Sequence, residues 1–238
     1  MCIRDRFYNL SVSSYENLAL NLNGNTLVVL GTFANNGGVN VSNPDNFDNG
    51  ILELRGNMVI AVNTAAGTAK VTLTGSGNQT YTYSSGGVPP GGTWTIDKSG
   101  GAFSLLKDLS LTASGQQLVW TNGAVDLSSN TLTVAGATTI YPGATTLGVT
   151  VADATKAGRL TCSSAVSGLN NVGLVVNVAA TEAQVLGLTY TILSNTSVLG
   201  VTFESVTWLD GWRGAVAYTT NVTLSSIGME RGTVFKFR

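Results

Sequence analysis

Along most of the chain, apolar residues occupy every second position in short runs, and each run ends in a cluster of Gly, Asn and Ser. Alternation of this kind gives a short strand one apolar face, and the clusters supply corners. Asn9-Leu10-Ser11-Val12-Ser13 alternates, residues 17–22 alternate again, and Asn23-Gly24-Asn25 turns the chain into Leu27-Val28-Val29. The chain then writes one stretch twice. Residues 21–31 and 126–136 agree at six of eleven positions, pairing Leu22 with Leu127, Asn25 with Asn130, Thr26 with Thr131, Leu27 with Leu132, Val29 with Val134 and Gly31 with Gly136. The copies lie 105 residues apart, which is five periods of 21. A period near 20 predicts a solenoid whose successive turns pair in parallel, each strand's backbone satisfied by the turns above and below.

Two interruptions read as projecting loops. Residues 31–50 are dense in turn formers, with Asn35, Gly37, Gly38, Asn43, Pro44, Asp45, Asn46, Asp48, Asn49 and Gly50. Residues 84–92 carry Gly86, Gly87, Pro89, Pro90, Gly91 and Gly92. Strand patterning resumes after each. From residue 137 onward short strands persist without the Leu-x-x-Asn-Thr-Leu signature, and residues 180–186 predict one or two helical turns, capped near Thr181 and stopped by Gly187. The expected organisation is therefore foreign residues at 1–6, β-helix repeats over 7–158 with loops at 31–50 and 84–92, and terminal turns with a cap over 159–238. Met1–Arg6 is set aside because it joins no repeat and holds three of the 25 charged residues. The chain reads as part of a larger parent chain.

Composition narrows the classes. The 238 residues are 43% hydrophobic and only 11% charged, with a net charge of −1, which excludes disorder driven by charge. Lys and Arg are scattered singly, so no basic stripe is available for a phosphate backbone, and nucleic acid is not an expected partner. No run of 18 apolar residues predicts a membrane-spanning helix. With Cys2 set aside, Cys162 is alone, and in its Val/Ser/Thr-rich setting it reads as a small buried hydrophobe.

Thr93-Trp94-Thr95-Ile96 followed by Lys98-Ser99-Gly100-Gly101, then residues 106–112, 123–127 and 130–134, resembles the degenerate right-handed β-helix repeats of bacterial surface proteins. Residues 187–193, 200–203 and 218–224 are similar to the terminal region of autotransporter passenger-type β-helices, where a Gly-x-x-Tyr-x-x-Leu strand, a Gly-x-x-Phe strand and a closing Tyr…Asn-x-Val-x-Leu strand finish the stack. The resemblance implies an all-β, single-stranded right-handed parallel β-helix with a C-terminal cap, on a protein exported to the cell surface or beyond it.

Candidate chemistry is sparse. The chain has no histidine, which excludes His-dependent triads and removes the commonest general base and metal ligand. Glycoside hydrolysis needs two carboxylates at a set separation, and the acids, Glu53 and Asp97 among them, look isolated. Asp108 and Asp126, 18 residues apart, are the one strand-region acidic pair near a period. Asp45 and Asp48, among Asn43, Asn46 and Asn49, read either as an ordinary Asx-rich turn or as a weak structural calcium site. Tyr81, Tyr83, Trp94, Trp120, Tyr141, Trp208 and Trp212 read either as interior plugs or as a sugar-stacking platform. The Thr-x-Thr pairs lack the fixed spacing that a flat threonine array requires. The expectation is a rod of about ten turns, roughly 50 Å long at one strand spacing per turn, with no catalytic residues. It would serve as a structural, adhesin-like segment that meets glycans or host and environmental surfaces through its loops; the competing expectation is a polysaccharide-acting β-helix enzyme or phage tail-type depolymerase.

Overall fold

A computed structural model of the chain describes residues 6–14, 19–38, 46–61, 64, 67–84, 86–195 and 202–230. The fold is all-β, 4% helical, and forms a parallel β-solenoid of about six turns, fewer than the ten expected. Each turn has three sides. Wall A holds Arg6–Phe7, Thr26–Val29, Ile51–Leu54 and Lys70–Gly75, then the first halves of three long strands, Trp94–Leu105, Leu118–Asp126 and Thr138–Val151, and finally Val166–Ser167. Wall B holds Leu10–Ser14, Phe33–Gly38, Met58–Ile60 and Gln79–Tyr83, the second halves of the same long strands, then Gly173–Val178 and Ser205–Trp208. Because the long strands bend round the corner between them, walls A and B form one 14-stranded sheet. Wall C is broken into Ala19–Asn21 with Asn46–Asp48, and a later ladder of Leu109–Leu111, Thr131–Val134, Arg159–Cys162 and Tyr190–Asn195.

The alternation read from sequence sets the core. In wall A the inward columns are Leu27, Leu52, Val71, Trp94 and Leu118, and beside them Val29, Leu54, Leu73, Ile96, Trp120 and Ile140. Wall C contributes Leu109, Leu132, Leu160 and Leu193 in one column and Leu111, Val134 and Cys162 in the next. A single cluster of buried residues runs from Val12 to Ile227. Each side chain rests on its equivalent one strand spacing away, so removal from water is shared along the whole rod rather than concentrated at one centre.

The period is not constant. Successive partners Leu27, Leu52, Val71, Trp94, Leu118 and Thr138 are separated by 25, 19, 23, 24 and 20 residues. The duplicated stretch is accordingly not a structural repeat: Thr26–Val29 lies in wall A and Thr131–Val134 in wall C. Gly31 and Gly136 both sit at corners, but at different ones. The physical reason is that every wall asks the same thing of a strand, one apolar face bounded by a turn, so one local motif serves any wall.

In both stretches read as loops, described residues join the coil. Residues 31–50 contain Phe33–Gly38 in wall B and Asn46–Asp48 in wall C. The stretch at 84–92 forms the third side of its own turn: Pro89 and Pro90 are buried, Val88 N donates to Thr64 Oγ1 at 2.7 Å, and Pro90 O accepts from Trp94 Nε1 at 3.0 Å. Proline carries no backbone N–H, so a Pro-Pro side closes a turn without the ladder a strand would need.

At the far end the helical turn appears at Glu182–Val185, with Thr181 N donating to Gln184 Oε1 at 2.9 Å, and ends at Gly187 with φ 77°. The ladder then reverses. Asn221–Met229 pairs antiparallel with Tyr190–Asn195, and Trp212–Tyr218 pairs antiparallel outside it. Val222, Leu224 and Ile227 are fully buried there.

Candidate functional site

The corner between walls A and B exists in a narrow and a wide form. Between the inward residues Leu54 and Met58 lie three residues, 55–57; in the next turn, between their partners Leu73 and Tyr81, lie seven, 74–80; between Ile96 and Leu105 lie eight. The narrow form needs backbone contact. A Cβ on Gly56 would stand 2.1 Å from Gly31 O, so glycine alone allows these two corners to stack.

The wide form leaves internal space, and polar side chains fill it. Gln79, fully buried, donates from Nε2 to Leu54 O and Gly56 O, both at 2.9 Å. Its Oε1 accepts from Lys98 Nζ at 2.8 Å, and Lys98 also donates to Gly77 O at 2.8 Å. Lys98 is 1% exposed, no carboxylate pairs with it among the described residues, and burial holds its ammonium below the ordinary value of 10.5. Trp120 adds its indole, with Nε1 donating to Gly123 O at 2.9 Å inside the same corner.

Outside the wide corner lies a groove of about 760 Å³ that crosses successive turns, lined by Glu53, Arg55, Thr74, Asp97, Asn122 and Thr145 over a floor rich in glycine. Gly75, Gly101 and Gly123 all have positive φ, so the bend itself demands residues without side chains there. The polar side chains are held in place. Glu53 Oε1 accepts from Arg55 Nε at 2.9 Å, from Arg55 Nη2 at 2.7 Å and from Thr74 Oγ1 at 3.2 Å. Asn122 Nδ2 donates to Asp97 Oδ1. Glu53 Oε2 and Asp97 Oδ2 take no hydrogen bond among the described residues.

The two acids that looked isolated in sequence thus share one groove. Asp97 pairs in register with Thr74, whose hydroxyl touches Glu53, so the carboxylates flank a single intervening strand. The signal was present as a run of Gly-containing corners at 55–57, 75–78, 98–101 and 121–123. A uniform period of 21 obscured it, since the actual spacing drifts from turn to turn.

Asp108 and Asp126 do not come together. Asp108 Oδ1 accepts from Thr131 N at 2.8 Å at the entry to wall C, while Asp126 closes a local turn at the end of wall B by accepting from Ser128 N at 2.7 Å. Of the calcium candidates, Asp45 lies outside the described residues. Asp48 Oδ1 accepts from Thr68 N at 2.8 Å and Thr68 Oγ1 at 2.9 Å, which ties one turn to the next. No group of three or more His, Cys, Asp or Glu side chains able to hold a metal occurs among the described residues.

All the named aromatics but Tyr141 follow the interior reading, Tyr83 packing partly buried against the core. Tyr81, Trp94 and Trp120 are buried, Tyr81 and Trp94 meeting edge to face at 6.4 Å, and Trp208 and Trp212 pack against the core near its end. Tyr141, 48% exposed, stands alone. Cys162 is buried against Thr138, and burial pushes its thiol up to about 11, which favours the protonated form at neutral pH. No helix among the described residues is long and apolar enough to cross a membrane. No family model matches the chain, and no curated protein matches it in sequence.

Proposed function

We propose that the chain is a non-enzymatic structural segment, adhesin-like in character, of an exported bacterial surface protein, and that its terminal antiparallel hairpin acts as a cap. The observation that carries this reading is the single unbroken core from Val12 to Ile227 within a coil of parallel turns. Such a rod is stiff because each turn is bonded to both neighbours, and it holds whatever it bears at a fixed distance. An antiparallel strand laid on the last parallel one blocks further addition of the same kind and shields an edge that would otherwise recruit other chains. Antibodies raised against the chain test the location. Labelling of intact cells of a bacterium that carries the gene is the expected result, and labelling only after lysis overturns it.

A second reading, a polysaccharide-acting enzyme, is favoured by one observation: Glu53 and Asp97 lie in one groove. It lacks an aromatic platform for a sugar ring, since no aromatic side chain among the described residues lines the groove. Incubation with soluble polysaccharides separates the two readings. The structural reading expects no new reducing ends and no unsaturated products; release of either that disappears in Asp97→Asn supports the enzyme.

A further inference from the structure

We infer that the corner at Asn49 and Gly50 is a site of spontaneous deamidation, where the Asn49 carboxamide is converted through a succinimide to aspartate and isoaspartate. The inference does not rest on the role proposed above. It follows from what the corner requires of its residues and from what it leaves unbonded.

The requirement comes from packing. Asn49 and Gly50 join Asn46–Asp48 in wall C to Ile51–Leu54 in wall A, and Asn49 has φ 48°, a conformation that asparagine and aspartate tolerate better than other side-chain-bearing residues. A Cβ on Gly50 would collide with Leu22 Cβ and Asn25 O of the turn before it. The stack thus favours asparagine followed by glycine. In that dipeptide the backbone nitrogen reaches the preceding carboxamide with least hindrance, because glycine has no side chain to shield it.

The chain holds four Asn-Gly pairs, and the fold ties three of them. Gly24 N, the nucleophile of the first, donates to Asn49 O. Asn36 Nδ2 donates to Ser11 Oγ at 2.7 Å and Asn122 Nδ2 donates to Asp97 Oδ1, both within strands. Asn49 is exposed, and neither its carboxamide nor Gly50 N takes a hydrogen bond among the described residues. Both reacting groups are free.

The reaction balances with water as its only reagent. Gly50 N attacks Asn49 Cγ to form a C–N bond, and the carboxamide nitrogen leaves as ammonia, taking the Gly50 proton. Water then opens the ring. Attack at Cγ restores the original backbone and gives aspartate; attack at the main-chain carbonyl leaves the chain running through Cβ and Cγ, which is isoaspartate. Either product places a new negative charge beside Asp48. Isoaspartate also lengthens the path by one carbon just before Ile51, whose N donates to Asn25 O at 3.0 Å, and so loosens the stacking of these two turns.

Incubation of the full chain at pH 9, folded and in urea, tests the inference. Mass spectrometry follows the peptides that carry the four pairs, and enzymatic methylation of isoaspartate gives a second readout. Dividing each folded rate by the urea rate of the same pair removes the influence of flanking residues. Asn49 is expected to retain a fraction of its urea rate larger than that of each other pair by about threefold or more, the effect of one hydrogen bond that must first break. Asn49→Gly suits the positive φ and carries no carboxamide, so it is expected to abolish most of the ammonia released by the folded chain. The inference is overturned by a retained fraction at Asn49 no larger than at the other pairs, by ammonia release unchanged in Asn49→Gly, or by an Asn49 peptide that keeps its mass in the folded chain while it reacts in urea.

Discussion

The narrow and wide corners between walls A and B solve one problem in two ways. At 30–32 and 55–57 the chain turns in three residues, and the bend is stabilised by glycine backbones stacked in close contact. At 74–80 and 97–104 the turn takes seven and eight residues, and the interior is closed by Gln79, Lys98 and the Trp120 indole. The narrow form has no room for a side chain at its glycine. The wide form costs a buried ammonium and a buried amide, and outside it lies a trough lined by two carboxylates that are held by hydrogen bonds. The comparison teaches that length added at a corner must be filled within by hydrogen-bonded polar groups, and that the same length exposes a concave outer face.

The comparison can be broken most severely at the indole. Trp120→Ala empties the wide corner and leaves Gly123 O without its donor; a loss of about 3–5 kcal/mol is expected in urea unfolding. A loss below about 1 kcal/mol would show that the wide corner collapses without cost.

Glycine substitution contrasts the two forms directly. Gly56→Ala drives a methyl into Gly31 O and is expected to destabilise by more than about 2 kcal/mol, whereas Gly77→Ala, with open space around its Cβ, stays within about 0.5 kcal/mol. Equal effects would refute the close backbone contact of the narrow corner at Gly56.

Gln79→Leu keeps volume and removes the amide. Leu54 O and Gly56 O lose their donor and Lys98 loses one of its two acceptors, so a cost of roughly 1–3 kcal/mol is expected. If thermal unfolding of this variant matches the parent, polar filling is not what closes the corner.

The smallest effect is a pH dependence. Burial lowers the pKa of Lys98 in the folded state below its unfolded value of 10.5, so between those two values the unfolded chain binds more protons. Stability from this group therefore rises with pH across that window, as the penalty of the buried charge is relieved. Lys98→Met removes the dependence. The difference in urea midpoint between parent and Lys98→Met should shift in the parent's favour from pH 7 to pH 10; a difference that is flat or moves the other way shows that the ammonium is not desolvated.

Much of the fold was legible. Alternation at Leu27/Val29, Leu52/Leu54 and Leu132/Val134 marks inward positions correctly, because a strand buried on one face can place its apolar residues in only one way. The turn formers mark corners, and Thr181 and Gly187 bound the helical turn. The Asp108–Asp126 pair was not legible, because a nominal period says which residues are near in sequence, not which turn and wall they occupy. Asp48 ties its strand to Thr68 on the following turn, and Asp108 ties its own to Thr131.

The sequence by itself determined that this chain is a stack of short parallel strands with an apolar interior, with no histidine and with Lys and Arg scattered along it. Only the tertiary structure decided which strands share a wall, that the twofold-written stretch lies on two different walls, and that Glu53 and Asp97, 44 residues apart, face one trough. The reason is that inward alternation is a property of each strand alone, while lateral register depends on the accumulated lengths of every corner between two strands. Those lengths vary from turn to turn, and a change of a few residues at one corner moves everything after it to a new neighbour.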